Sequence, residues 1–260
     1  MPSGIAFCSA RKRRLETMLP EIIVDMVPNL ADRLAERIEG EGSRALAERG
    51  RFALALPGGS VARTFFPRLA RGSFDWSRAE FFWTDERAVP VTDPESNYRL
   101  ARSLWLNPAK VPADRVHRME ADAADPEGAA ALYAGDLTRL LGRPPRLDVV
   151  LLGVGSDGHV CSLFPGHSLL HEERQWVAVE AAAPKPPARR LTLTLPTLAA
   201  AELVMVVAVG RTKAQVVRDA LRDPDSPLPL ALALRRSRRA LVLLDPDAAG
   251  LSGDIVSTSS

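Results

Sequence analysis

The sequence predicts an α/β fold: a mainly parallel sheet with helices on both faces, in three layers. Three observations predict it. Short unbroken apolar runs recur along the 260 residues, at Phe52–Leu56, Val149–Leu152, Leu203–Val209 and Leu241–Leu244. A run apolar on both sides of the pleat and too short for a helix reads as a parallel strand covered on both faces. Segments with helical spacing alternate with these runs, as crossover connections require. Polar loops, several rich in glycine, follow the runs, and in open α/β sheets such loops gather ligands at the carboxyl ends of the strands. The fold class that results is Rossmann-like.

In chain order, Glu21–Val24 is a short β-branched run, and Pro28 then opens a helix with Leu30, Leu34 and Ile38 at four-residue spacing. Phe52–Leu56 ends in Pro57-Gly58-Gly59-Ser60, and a helix is predicted from about Val61 to Ala70. Strand, glycine turn and helix aim free backbone N–H groups at an anion. Neither a Walker loop nor G-x-G-x-x-G is present, and a bare Gly-Gly turn is structural as often as functional. A third strand, Glu80–Trp83, ends in the charged loop Asp85-Glu86-Arg87. Asp93-Pro94-Glu95 and Asp125-Pro126-Glu127 both carry helix-start signals; the second helix runs through Tyr133, Leu137 and Leu141 to Gly142.

Val149–Leu152 is the central strand, and its loop runs Gly153-Val154-Gly155-Ser156-Asp157-Gly158-His159. Trp176–Val179 predicts a further strand, and Pro184–Pro187 a stiff loop. Leu191–Leu195 alternates leucine with threonine, which predicts a half-buried strand nearer an edge. Leu203–Val209 leads into Gly210-Arg211-Thr212-Lys213 and a helix to about Leu221. Leu241–Leu244 is the last strand, with Asp245-Pro246-Asp247 predicted to cap a short terminal helix. Residues 1–19 read as a loose N-terminal extension, 20–251 as one α/β domain and 252–260 as a frayed tail.

Composition narrows the function classes. A formal net charge of +2 is no nucleic-acid footprint, and Arg235-Arg236-Ser237-Arg238-Arg239 reads as a solvated turn. No stretch approaches the roughly 18 apolar residues of a membrane span. Cys8 and Cys161 are too far apart in sequence for a disulfide framework or zinc spacing, so a reducing cytoplasm is expected. Cys161 reads as a small buried thiol, not a nucleophile.

Four strand ends carry the polar chemistry: Gly58-Gly59-Ser60, Asp85-Glu86-Arg87, Asp157-Gly158-His159 and Gly210-Arg211-Thr212-Lys213. In a parallel sheet all four meet along one rim. Together they offer two anion devices, a carboxylate, a guanidinium and an imidazole, which suits a phosphorylated small molecule. Lys213, placed by the sequence in the first turn of a helix, opposes the helix dipole by about 0.3–1 kcal/mol, and a bound anion would explain it. Each part also has a plainer reading: Asp157 as a loop cap, His159 as a satisfied polar residue, Asp85-Glu86-Arg87 as a surface ion pair. His117, His167 and His171 receive no role. No serine lies in G-x-S-x-G.

The segments LALPGGS, FFWTDERAVPVTDPESNY, LDVVLLGVGSDGHVCSLFPG, PKPPARRLTLTLP and VAVGRTKA, in that order, resemble the 6-phosphogluconolactonase family, within the larger group that includes glucosamine-6-phosphate deaminase. The departures are Ser156 where proline is common, Cys161 where alanine is common, and Val61 after Gly-Gly-Ser. The resemblance implies metal-free, cofactor-free hydrolysis of 6-phospho-D-glucono-1,5-lactone to 6-phosphogluconate, in the pentose phosphate pathway. It implies His159 as the general base, with Asp85 or Asp157 orienting the imidazole or the water. Arg87 would stabilise the oxyanion or hold substrate. Gly58, Gly59, Ser60, Lys213 and Arg190 would bind the phosphate. The deaminase pattern places a glutamate five residues after the histidine, where this chain has Phe164. A sugar-phosphate sensor of this fold would carry a helix-turn-helix ahead of it, and residues 1–50 leave room for one strand and one helix. The expected partner is a sugar phosphate, with neither nucleic acid nor membrane, for a monomer or weak homodimer.

Overall fold

A computed structural model of the chain describes residues 19–251. Apart from Leu19, the expected extension at the N-terminus and the tail at 252–260 lie outside the described residues.

Six strands form one wholly parallel sheet in the order β1-β9-β8-β5-β2-β3: β1 (Glu21–Val24), β2 (Phe52–Leu56), β3 (Ala79–Trp83), β5 (Val149–Gly153), β8 (Leu203–Ala208) and β9 (Ala240–Leu244). Every residue of β2, β3 and β8 is buried, so both faces are covered, as their unbroken apolar runs require. The helices are α1 (Val27–Arg49), α2 (Gly59–Ala70), α3 (Asn97–Ala101), α4 (Pro126–Leu141), α5 (Leu195–Ala200), α6 (Ala214–Arg222) and α7 (Pro229–Arg236). Helix α1 buries the expected Leu30, Leu34 and Ile38 stripe and stops at Gly50, whose left-handed φ of 71° lets its N–H reach the Leu46 carbonyl.

A second sheet went unforeseen. It has three antiparallel strands in the order β4-β7-β6: β4 (Asp85–Arg87), β6 (Val177–Glu180) and β7 (Arg190–Leu193). The supposed loop Asp85-Glu86-Arg87 is therefore a strand. Thr84 is the pivot between the sheets. Its N–H donates to Leu56 O of β2 at 2.9 Å, and its carbonyl accepts from the N–H of Leu193, the last residue of β7, at 2.8 Å.

Three further expectations are corrected. Strand β7 is no half-buried edge; it lies between two partners with every residue buried. Thr192 in it and Thr194 just after it tolerate burial because their hydroxyls are bonded: Thr192 Oγ1 accepts from Ser162 N–H, and Thr194 Oγ1 donates to Gln175 O. The helix expected at Asp93 begins at Asn97, capped by Ser96 Oγ, which accepts from Arg99 N–H at 3.1 Å. Asp245 caps no helix. It accepts Gly210 N–H on both oxygens, at 3.0 and 3.1 Å, and Ala248 N–H at 2.8 Å, so it ties the last turn to the loop before Lys213.

Candidate active site

The carboxyl ends of β2, β5 and β8 deliver three loops to one side of the large sheet, and the small sheet faces them. Between them lies a cleft of about 330 Å³. Of the nine residues singled out from the sequence, Gly58, Gly59, Ser60, Asp85, Arg87, His159, Arg190 and Lys213 line it. Asp157 does not line it but touches a residue that does.

Two glycines build the turn after β2. Gly59 begins α2 at φ +61°, a left-handed conformation. Gly58 is pressed against the Asn97 carboxamide, where a Cβ would collide with Asn97 Oδ1. The N–H groups of Gly59, Ser60 and Val61 open α2 without partners one turn back in the helix.

The loop after β5 is tight: Gly155 N–H donates to His159 O at 2.9 Å and Gly158 N–H to Gly155 O at 3.0 Å. Across it, His159 Nδ1 and Asp157 Oδ1 are 2.5 Å apart. Burial lowers the His159 pKa below the ordinary histidine value, outweighing the opposing charge and hydrogen bond of Asp157. Burial alone would raise Asp157, but the charge and hydrogen bonds of His159 bring it below the usual carboxylate range. The pair therefore rests as a neutral imidazole and a carboxylate near neutral pH. With Nδ1–H donating to Asp157, the lone pair falls on Nε2, which has no hydrogen bond among the described residues. Phe164 packs on the ring, with centroids 4.7 Å apart.

Asp85, the other aspartate considered as a partner for the imidazole, is bonded elsewhere. Its Oδ2 accepts from Ser162 Oγ at 2.7 Å and its Oδ1 from Asn97 Nδ2 at 3.2 Å. Arg87 Nη1 donates to Glu95 O at 2.7 Å. Lys213 sits at the N-cap of α6, after a short turn over Arg211–Lys213, and so just ahead of the predicted first helical turn. Cys161 lines the cleft partly buried, and desolvation pushes its pKa well above the ordinary thiol value, which disfavours the thiolate.

Asn97, Glu86 and Lys185 escaped the sequence reading. Glu86 is buried, and its carboxylate accepts from Arg87, Asn97 and Tyr98 N–H groups at 2.7–2.8 Å and from Ser96 Oγ at 3.1 Å. Burial raises its pKa despite those donors. It thus holds the start of α3, and with it Asn97, beneath the Gly58 turn. A carboxylate followed ten residues later by Ser-Asn was the only available signal, and it is a weak one. His117 and His167 are occupied by Glu80 and Glu180, at 2.7 and 3.0 Å. Among the described residues no group of three or more His, Cys, Asp or Glu side chains is placed to hold a metal ion. No helix among them is long and apolar enough to cross a membrane.

Known proteins share this architecture. The family model for glucosamine-6-phosphate isomerases/6-phosphogluconolactonase matches residues 26–242. The chain is 40% identical over 239 residues to the 6-phosphogluconolactonase of Rattus norvegicus, covering 89% of this chain and 90% of that one. It is 37% identical over 244 residues to the 6-phosphogluconolactonase of Streptomyces coelicolor, covering 88% and 94%. The solved structure of 6-phosphogluconolactonase from Trypanosoma brucei superposes with a TM-score of 0.78 at 30% identity, covering 89% of this chain and 98% of that one. Matched over most of its length in sequence and in structure, the chain belongs to the glucosamine-6-phosphate isomerase/6-phosphogluconolactonase family.

Proposed function

We propose that this chain is a 6-phosphogluconolactonase, hydrolysing 6-phospho-D-glucono-1,5-lactone to 6-phospho-D-gluconate in the pentose phosphate pathway. The observation that carries the reading is a half-buried imidazole whose Nδ1 lies 2.5 Å from the Asp157 carboxylate, in a cleft that also holds an open helix N-terminus and lysines without an ion pair among the described residues. His159 Nε2 takes a proton from water as the oxygen attacks the lactone carbonyl, and Asp157 holds the ring and stabilises the imidazolium that forms. Arg87 faces the oxyanion; its position is fixed by Glu95 O. Collapse of the tetrahedral intermediate breaks the ring C–O bond, and the imidazolium returns the proton to the leaving hydroxyl. No metal or cofactor takes part. Gly58, Gly59, Ser60 and Lys213 hold the phosphate, which positions the lactone for attack.

Phe164 favours the lactonase over the isomerase branch of the family. Where deamination would need a further acid–base group, a buried ring packs against the imidazole. Residues 20–251 form the catalytic domain, working in the cytoplasm as a monomer or weak homodimer. The test is stopped-flow hydrolysis of freshly prepared lactone. The unaltered chain, exhaustively treated with chelator, is expected to exceed the spontaneous rate. A rate no higher than spontaneous overturns the assignment, and activity lost to chelator and restored by a divalent cation overturns the metal-free mechanism.

A further inference from the structure

The loop between β6 and β7 brings a cation to the cleft that the sequence reading passed over. Lys185 lines the same walls as Gly58, Gly59, Ser60, His159 and Lys213. Among the described residues, neither Lys185 nor Lys213 forms an ion pair with a carboxylate. Two ammonium groups sharing a cleft repel unless an anion lies between them. Burial first, and then the charge of Lys185, holds the Lys213 pKa below the ordinary lysine value, against the pull of Asp157.

Arg190 accounts for where Lys185 stands. Its Nη2 donates to Lys185 O at 2.8 Å and its Nε to Pro187 O at 3.0 Å. The third contact, Nη1 to Ser162 Oγ, is 3.4 Å long. Ala183 N–H donates to Ala188 O at 2.8 Å and closes the loop. The guanidinium lies over Phe164, 5.6 Å from its centroid. A buried arginine whose Nε and Nη2 are spent on two loop carbonyls is a fastening.

We infer that residues 184–187 form the second half of the phosphate site, in which Lys185 supplies a cation opposite Lys213 and Arg190 is a positioning residue that holds the loop in place. The inference rests on the phosphate-lactone reading above. It makes the bound phosphate a bridge: Lys213 belongs to a loop of the large sheet and Lys185 to a loop of the small one, so substrate ties the two walls together. It also moves Arg190 from direct phosphate contact to support of the residue that makes it.

The test compares Lys185→Ala with the unaltered chain on 6-phospho-D-glucono-1,5-lactone and on unphosphorylated D-glucono-1,5-lactone. Loss of one charge-assisted contact at a partly screened rim should lower kcat/KM about tenfold on the phosphorylated lactone, carried by KM. Turnover of the unphosphorylated lactone, read well above the acidic limb of the pH profile, should fall far less, and Lys185→Arg should recover most of the loss. Equal losses on both lactones, or none on either, overturn the inference. Calorimetric titration with 6-phosphogluconate separates this from the parent reading, because it needs no turnover. An inactive unaltered chain refutes the lactonase assignment, whereas unchanged 6-phosphogluconate affinity in Lys185→Ala refutes the role of Lys185. Arg190→Lys cannot span both carbonyls and should show the same phosphate-selective loss, with the double variant no worse than the worse single one. Losses that multiply would overturn the positioning role.

Discussion

Gly155 carries no chemistry of its own, yet the geometry makes it a strict requirement for the His159–Asp157 contact. A Cβ at that position would fall well inside 3.0 Å of His159 Nδ1, His159 Cε1 and Asp157 Oδ1, a separation real Cβ atoms essentially never breach. Gly155→Ala therefore cannot be accommodated unless the imidazole or the carboxylate withdraws by about 1 Å, and a displacement of that size at a reacting group costs about 10²-fold in rate. The 2.5 Å contact that fixes the tautomer breaks in the same movement. Stability should suffer far less. The φ of Gly155 is not in the left-handed region, so alanine meets no backbone penalty there and gains about 0.4–1 kcal/mol from a stiffer unfolded chain. Against this stands the loss of one charge-assisted hydrogen bond, about 1.5–3 kcal/mol. The net cost of about 1–2 kcal/mol lowers Tm by a few degrees in a chain of this size. Stopped-flow lactone hydrolysis and a thermal melt read both quantities. A folded Gly155→Ala variant with kcat/KM within threefold of the parent would refute the claim that the His159–Asp157 contact sets the rate.

The other predictions concern single groups. His159→Ala should lower kcat by about 10²- to 10⁴-fold with little change in unfolding midpoint, and near-parental turnover would contradict the assignment of the base. Because burial holds His159 below the ordinary value, Asp157 and Asp85 opposing and Lys185 adding to the shift, the imidazole is the neutral base at any pH above its lowered pKa. The acidic limb of kcat/KM should thus lie below about pH 6.5, and a limb centred higher would contradict the direction of the shift. Lys213→Ala should raise KM more than it lowers kcat, by about tenfold, and an unchanged KM would remove Lys213 from the phosphate site. Glu86→Gln turns an amide donor toward groups that already donate, so it should cost about 2 kcal/mol even though it removes a buried charge; denaturant unfolding reads this, and an unshifted midpoint would refute it.

Apolar pattern made the large sheet legible, because each of its inner strands is covered on both faces and no polar residue interrupts the run. The small sheet was hidden for the opposite reason. Asp85-Glu86-Arg87 looks like a solvated loop, and burial of Asp85 and Glu86 is tolerable only because Ser162, Asn97 and three backbone N–H groups lie in wait for them. Those donors come from up to 77 positions away, which no local window contains. The helix-start signal at Asp93 misled for a related reason: Asp93 closes a local turn by accepting from Glu95 N–H, and the amides that open the helix, those of Asn97 and Tyr98, are held by Glu86 of β4. At the cleft, Asp85, Arg87, His159, Arg190 and Lys213 could be read from motif order, whereas Lys185 looked like part of a stiff loop. Gly155 and the support role of Arg190 could not, since each depends on what lies against it in space.

The two sheets divide the labour at the cleft. Loops of the parallel sheet hold the open helix end, the imidazole and Lys213, while β4, β7 and the loop before β7 bring Asp85, Arg87, Arg190 and Lys185. At the cleft neither sheet alone supplies both the imidazole and a guanidinium. Thr84 is one tie between them, because its N–H bonds Leu56 on one side and its carbonyl accepts from Leu193 on the other. Its hydroxyl also donates to Leu56 O, at 3.2 Å, so the pivot is doubly held on the side of the large sheet. On the side of the small sheet the backbone bond to Leu193 is joined by Ser162, in the loop after β5, which bonds Thr192 and Asp85. With both sheets held there, any adjustment of the cleft to substrate is expected in the Lys185 loop, which reaches the cleft beyond these bonds.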